Sequence, residues 1–579
     1  MLDLTLNTPF IPGTNLNGDL ACADWRFLLP RLSYKHILFI GKPHEGDLQV
    51  MHGMSPLKTV ITTREHKEKK LAKLNSGTLA GTTFLPMPSP GDNFSIYEES
   101  VDLMVLADLN LYKKHLSQKA TQNKIAKALR TDAAIFIDVS GLSQRFTARR
   151  LFKRYARHGF GLRAAYWLTP FRGDLRTAAP IGRGKISGYL FSNVLYGQSV
   201  KKRIISFLGK IAAPLRIIDL LAPRRAYLLS GKNPSSYTNE MPDFLKSMAP
   251  SSGDRGDSDG LALSARGKYN ANKVIYFLFA QSKSRPDSVL KITRSPEFNF
   301  RLENEYNILS ELREKKYVPQ ASYPRAQFLA YENNLAVIGL DAVKGVPFRV
   351  KTTADADCPY TRKTINWIIQ LGMSSQKSTT DSAECYRALR SLYENFSKIY
   401  SLTPFERDFL LDQLDTVRNY PGKIPTVLQH GDPGTWNILV SDSDEIIVLD
   451  WEAGELRGVP LWDLLYFFRT FSSWIGRSMG VRNPLSSFEN LLLRKTALHD
   501  LFDQTIKTYC RSVNLDSRLV PPLFHTCWMH RALKEATRLH PENVSAGHYV
   551  NLLKQCIASP LAAAYLQSFD VVSERKLVK

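Results

Sequence analysis

Short apolar runs, each closed by a turn former, punctuate the first half of the chain. His36-Ile-Leu-Phe-Ile-Gly41, Thr59-Val-Ile-Thr62, Leu103-Met-Val-Leu-Ala107 and Ala134-Ile-Phe-Ile-Asp138 have the length and bulk of buried strands. Helix-patterned stretches such as Lys114–Arg130 and Phe146–His158 fall between and after them, and Ala164-Ala-Tyr-Trp-Leu-Thr-Pro170 and Leu220–Ser230 predict further strands. Strands alternating with helices predict an α/β, doubly wound, Rossmann-like domain over residues 1–232.

Residues 233–265 break both periodicities. Pro250-Ser-Ser-Gly-Asp-Arg-Gly-Asp-Ser-Asp-Gly260 is a run of turn formers without apolar spacing, and it predicts a linker. Strand patterns return at Lys273–Ala280 and Asp287–Thr293, a helix follows through Leu302–Leu312, and another strand begins at Leu335. Helical spacing then dominates: Ala383–Tyr400, Pro404–Tyr420, Leu491–Val513, Pro522–Leu539 and Val550–Gln567. Residues 266–579 therefore predict an α+β domain of two lobes, small and sheet-rich before large and helical.

Composition places the chain among globular proteins, with 44% hydrophobic and 23% charged residues. The 579 residues are too many for one core. Six scattered cysteines without a CxxC argue against structural zinc or a disulfide framework. The first ten residues lack the pattern of a signal peptide, and no apolar run reaches the roughly 18 residues of a membrane span. A cytoplasmic protein, with a peripheral membrane contact as a further option, is the expectation.

Charge changes this picture in one respect. Of the formal +23, residues 1–232 hold +19 (35 Lys and Arg against 16 Asp and Glu) and the remainder only +4. The front half expects an anionic partner. Ser199-Val-Lys-Lys-Arg-Ile-Ile-Ser-Phe-Leu-Gly-Lys-Ile211 mixes cations with bulky apolar residues near helical spacing. It reads either as an amphipathic segment on an anionic membrane or as a helix packed on its own domain with a solvated basic face. Aliphatic rather than aromatic interleaving makes nucleic acid the poorer partner.

The densest chemistry lies in Val427–Arg469. Asp432, in His430-Gly431-Asp432, stands five residues before Asn437, and the run Ile446–Leu449 delivers Asp450. Phosphoryl transfer needs a group that orients the attacking hydroxyl and oxygen ligands for the ion on the phosphates, and an Asp, an Asn and a strand-end Asp in this order supply them. The segment resembles the aminoglycoside phosphotransferase and choline kinase-like family. That family's HGDxxxxN is matched by His430, Gly431, Asp432 and Asn437, its metal-binding Asp by Asp450-Trp451-Glu452, and its later PxxDL by Pro460, Asp463 and Leu464.

The resemblance implies phosphorylation of a hydroxyl on a small-molecule or glycan-like acceptor, with Mg2+ as cofactor and ATP or GTP as co-substrate. Asp432 is the implied base, His430 an organiser of its loop, and Asn437 and Asp450 the metal ligands. Asp463 is expected to accept hydrogen bonds from the loop backbone or from His430. Lys291, on the second strand of the small lobe, is the candidate cation for the phosphates. Glu305 is its partner, with Leu309 and Leu312 following on the same helix face and Glu303 in reserve. Gly267 is the glycine placed to cover the phosphates. Trp436 and Trp451 read as packing residues.

The front half resembles the class I methyltransferase fold, with Val101–Ala107 as its fourth strand. It departs from them at the first glycine turn, where Gly41-Lys-Pro-His-Glu-Gly46 replaces a GxGxG-like loop, and only Glu65 offers an acid after the second strand. Tight S-adenosylmethionine binding is not expected. A front-half methyltransferase and a non-catalytic scaffold are the alternative functions.

Overall fold

The computed structural model describes residues 19–569 except 67–79, 88–95, 171–172, 196–203, 205–206, 210, 214, 216, 232–240, 247, 249–257, 268, 281–282, 377 and 540. The chain divides into two compact units. One is built from Thr14–Leu302 with Gln327–Ala342, the other chiefly from Glu303–Ala326 with Val343–Lys579. They are called the sheet unit and the helical unit below.

The sheet unit is α/β with one mixed sheet of thirteen strands. These are β1 His36–Ile40, β2 Leu57–Thr62, β3 Thr82–Pro86, β4 Val101–Leu106, β5 Leu129–Ser140, β6 Phe160–Thr169, β7 Thr177–Pro180, β8 Arg224–Gly231, β9 Ser258–Ser264, β10 Val274–Ala280, β11 Ser288–Ile292, β12 Ala326–Glu332 and β13 Leu335–Asp341. Their spatial order is β12-β13-β11-β10-β9-β7-β6-β8-β5-β4-β1-β2-β3. From β3 to β5 every pairing is parallel, and β8 runs antiparallel to both β5 and β6. Every residue of β4 is buried, as a parallel strand covered on both faces requires.

Local expectations change in places. The stretch expected as one helix, Lys114–Arg130, is two shorter helices, Leu109–His115 and Lys119–Ala128, and Arg130 belongs to β5. Asp108 caps the first helix by accepting from the N–H groups of Asn110 and Leu111. The pairing of Leu129 with Val101 draws the end of the second into the sheet.

The expected linker, 233–265, holds a strand. Residues 258–264 form β9, which pairs with β10 on one side and β7 on the other. Leu261, Ala262 and Leu263 are buried there. Three apolar residues at the end of a turn-rich run were enough to enter a sheet that offered two open edges. One hydrophobic cluster consequently runs from Phe39 and Val60 through Ala226 and Leu263 to Ile292 and Val337.

A buried ion pair reinforces this continuity. Arg294, just after β11, donates from Nε and Nη2 to the carboxylate of Asp24 at 2.9 and 2.7 Å, and both side chains are fully buried. The same guanidinium donates to the carbonyls of Gly267 and Tyr269 at 2.9 and 2.8 Å. Burial pushes the Asp24 carboxyl up to about 6, against the pull of Arg294. Removing one partner from a pair held this way costs about 3–5 kcal/mol, because the other charge stays buried.

The helical unit carries two small sheets, Val346–Pro347 with Ile438–Val440 and Ile446–Val448, and Ser378–Asp381 with Lys423–Gln429 and Glu455–Gly458. Long helices surround them. Pro404–Arg418 opens on a capping box in which Thr403 and Glu406 satisfy each other's backbone N–H groups. The stretch expected as one helix, Val550–Gln567, is two, His548–Ala558 and Pro560–Gln567. Pro560 lacks the N–H that a continuing helix needs, and Ser559 caps the new start.

Candidate active site

The catalytic-loop candidates sit between strand Lys423–Gln429 and strand Ile438–Val440 of the helical unit. Gly431 adopts φ +76°, and a Cβ there would meet the Ala453 carbonyl oxygen at 1.9 Å, so only glycine fits between His430 and Asp432. Asp463 holds this turn from beneath. Its carboxylate accepts from the N–H of His430 at 2.6 Å and of Gly431 at 2.9 Å. Burial raises its pKa, opposed by His430 and by those two amides. Asp463 sits in the first turn of helix Trp462–Ser478, whose N-cap is Leu461, a buried leucine at φ +77°. A bulky residue in that region costs about 1–3 kcal/mol, which the surrounding packing has to offset.

Both ring nitrogens of His430 are engaged. Nε2 donates to the Leu449 carbonyl at 2.9 Å, and Nδ1 accepts from the N–H of Asp432 at 3.1 Å. The fully buried ring packs on Trp451, and burial lowers its pKa. It is therefore a neutral strut between the loop and the strand leading to Asp450. It has no free nitrogen with which to take a proton from a substrate.

Asp432 and Asn437 are in contact. Asn437 Nδ2 donates to the Asp432 carbonyl at 2.9 Å and reaches its Oδ2 at 3.3 Å. The Leu449 N–H donates to the Asn437 carbonyl at 2.8 Å, so Asp450 follows directly on the residue that faces Asn437 across the hairpin. Asp450 takes φ +70°, a turn that Asp tolerates better than most residues. Among the described residues no group of three His, Cys, Asp or Glu is placed to hold a metal. The Asn437 amide oxygen and the Asp450 carboxylate are hard-oxygen donors of the kind magnesium takes, and magnesium keeps several of its other positions for water and phosphate.

Residues 303–315 of helix Asn299–Lys315 reach this turn within the helical unit. Buried Glu305 accepts from the Trp451 N–H at 3.3 Å, and Asn304 Nδ2 donates to the carbonyls of Glu452 and Gly454 at 3.1 and 2.9 Å. Glu303 is less buried than Glu305. Trp451 is fully buried, whereas Trp436 is 46% exposed on the loop between Asp432 and Asn437, beside Arg349.

No family model and no curated protein matches the chain. Solved structures align with parts of it: ADP-bound aminoglycoside phosphotransferase APH(2'')-Ib at 12% identity, covering 54% of this chain and 95% of that one, TM-score 0.32. Choline kinase LicA from Streptococcus pneumoniae aligns at 11%, covering 51% and 87%, TM-score 0.27. WbdD, crystallised with a kinase inhibitor, aligns at 12%, covering 82% and 83%, TM-score 0.21. At such TM-scores these likenesses add no weight to the geometry.

Lys291 and Gly267 belong to the sheet unit. Lys291 is buried in β11, opposite Ile275 and Ile338. Gly267 lies in a turn closed by Asn272, where a Cβ would meet the Asn272 side chain at 2.3 Å. Packing alone thus demands a glycine there, and its carbonyl is committed to Arg294.

One residue at the site has no motif. Arg531, on helix Val520–Ala536, donates to the Gly431 carbonyl and, at 3.3 Å, to Asp432 Oδ1. Its guanidinium lies 3.5 Å from the ring centroid of Tyr466. It fixes one carboxylate oxygen of Asp432 while Asn437 fixes the other. Arg531→Gln is expected to lower turnover by about 10²-fold, since misplacing a reacting group by about 1 Å costs that much. Nucleotide affinity should hold, and Arg531→Lys should restore part of the rate. Unchanged turnover in the glutamine variant would make Arg531 a packing residue only.

Proposed function

We propose that the chain is a phosphotransferase that moves the γ-phosphate of ATP or GTP to a hydroxyl of a small-molecule or glycan-like acceptor, with the chemistry assigned to residues 266–579. The observation that carries this reading is the loop geometry: a partly exposed Asp432 carboxylate steadied at both oxygens by Asn437 and Arg531, with Asp450 one residue past the hydrogen-bonded partner of Asn437 in the hairpin. Asp432 accepts the proton of the attacking hydroxyl and orients it; its two contacts are long enough to leave lone pairs for that proton. Asn437 and Asp450 would hold magnesium, which when bound neutralises charge on the transferring phosphate. His430, Asp463 and Gly431 keep the loop in shape. Lys291, Glu305 and Gly267 are assigned to the nucleotide on the motif order alone. Trp436 offers an exposed flat face to an acceptor that carries a ring.

The test is incubation with labelled ATP or GTP, with magnesium, against a panel of hydroxyl-bearing metabolites and oligosaccharides, read by mass. A phosphorylated product that requires Asp432 supports the reading. Nucleotide binding without transfer to any acceptor or to water would favour a scaffold.

A second reading concerns residues 1–232. The order β3-β2-β1-β4-β5, followed by the antiparallel β8 and then β6, supports a methyltransferase-like arrangement. Calorimetric titration with S-adenosylmethionine separates an active domain from one that keeps only the architecture.

A further inference from the structure

We propose that the sheet unit carries a docking surface for an anionic lipid bilayer, formed by the described residues of the segment 204–220 and the neighbouring helix Leu142–Ala156. The segment packs the wrong way round for a core helix. Its small residues face inward: a Cβ on Gly209 would meet the Phe191 ring at 2.3 Å, and Ala213 is buried. Its large apolar residues face outward. Ile204, Phe207, Leu208, Ile211, Leu215 and Leu220 are each more than half exposed. Ile204, Leu208 and Ile211 lie at helical spacing and form one stripe, with Leu215 in the turn that follows. A solvated basic face, the bland reading of this stretch, would show the reverse pattern.

The cations come from the helix alongside. Leu142–Ala156 contains Arg145, Arg149, Arg150, Lys153 and Arg154 and no acid. Phe146, Arg149, Arg150 and Lys153 are exposed. Arg145 ties the two elements together by donating to the carbonyls of Leu220 and Ala222. Lys201, Lys202 and Arg203, which the sequence also singles out, lie outside the described residues.

An exposed aliphatic stripe beside a row of cations matches one kind of surface, acyl chains beneath anionic headgroups. Nucleic acid would leave the aliphatic side chains in water. A second copy in two-fold contact would set like-charged rows close together. No helix among the described residues is long and apolar enough to cross a membrane, so the contact is interfacial.

The test is co-sedimentation of the full chain with phosphatidylcholine vesicles and with vesicles of phosphatidylcholine and phosphatidylglycerol. Pelleting with the anionic vesicles should exceed that with neutral ones at least tenfold and fall as salt rises. Phe207→Asp with Leu215→Asp should abolish it, and Arg149→Glu with Arg150→Glu and Lys153→Glu should erase the preference for anionic lipid. All five positions are exposed, so unchanged circular dichroism is expected and checked. Equal recovery in the supernatant with both vesicle types overturns the proposal. So does pelleting that the Phe207 and Leu215 changes leave intact. Concentration-dependent dimers in sedimentation velocity, lost in that same variant and without lipid binding, would assign the stripe to a second copy instead.

Discussion

Asp432→Asn is expected to lower phosphoryl transfer by about 10²–10⁴-fold, the usual contribution of a positioned general base, while nucleotide affinity stays within about threefold of the native value. The side chain keeps its shape, so Arg531 and Asn437 keep a neighbour, but the carboxylate that accepts the proton is gone. Asp450→Ala should behave differently and weaken magnesium-dependent nucleotide binding as well, because it removes a ligand oxygen. The two variants, compared by calorimetry with ATP and by turnover on an acceptor from the panel, separate base from ligand. Near-native turnover in Asp432→Asn would refute the assignment.

The second large effect is acid lability of the helical unit. Burial lowers the pKa of four of its histidines: His525 to about 4, His548 to about 3 with help from Arg469, and His430 and His530 below their ordinary value. In the unfolded chain each takes a proton near 6.5. Below that pH the unfolded state holds more protons, so stability falls as pH falls, by about 1.4 kcal/mol per pH unit for each histidine until its folded pKa is reached. Asp463 opposes this, since its raised pKa lets the folded state take up a proton first. The net direction is still loss. In the sheet unit Asp24 and Asp47, both raised by burial, act against His36, which burial lowers.

Six of the eight tryptophans (367, 436, 451, 462, 474 and 528) lie in the helical unit. Intrinsic fluorescence should therefore report a transition between about pH 6 and pH 4. His525→Phe should move its midpoint to lower pH, because the His525 ring is buried against Phe409 and Phe524. A flat signal down to pH 4 would contradict the linkage.

How legible these features were depended on the reach of the interaction. Strands β1, β4 and β10 and the loop from His430 to Asp450 are local patterns, and their elements stand close to where periodicity placed them. Helix Val520–Ala536 was legible too, but not its role. Arg531 is 99 residues from Asp432, and nothing near it in the chain distinguishes it from other helix arginines. The same holds for β9, whose place depends on β7 and β10 offering edges on both sides. Propensity reads the residues of 258–264 and cannot see those edges. Gly267 teaches the converse. A glycine singled out for phosphate contact has a sufficient reason in the packing of Asn272.

The clasp between Asp24 and Arg294 bears on how this polypeptide can be cut and how it is made. A chain begun at residue 266 would contain strands β10 to β13 but lack both the carboxylate for Arg294 and the neighbouring strands β7 and β9. Such a fragment is expected to be recovered insoluble, whereas the full chain is not; soluble, cooperatively melting fragment would show the clasp to be dispensable. During synthesis Arg294 leaves the ribosome 270 residues after Asp24, so the first part of the sheet must hold its buried acid unpaired, or stay open, until the middle of the chain arrives. A gene that encodes these two halves apart would have to replace that pair before either product could fold alone.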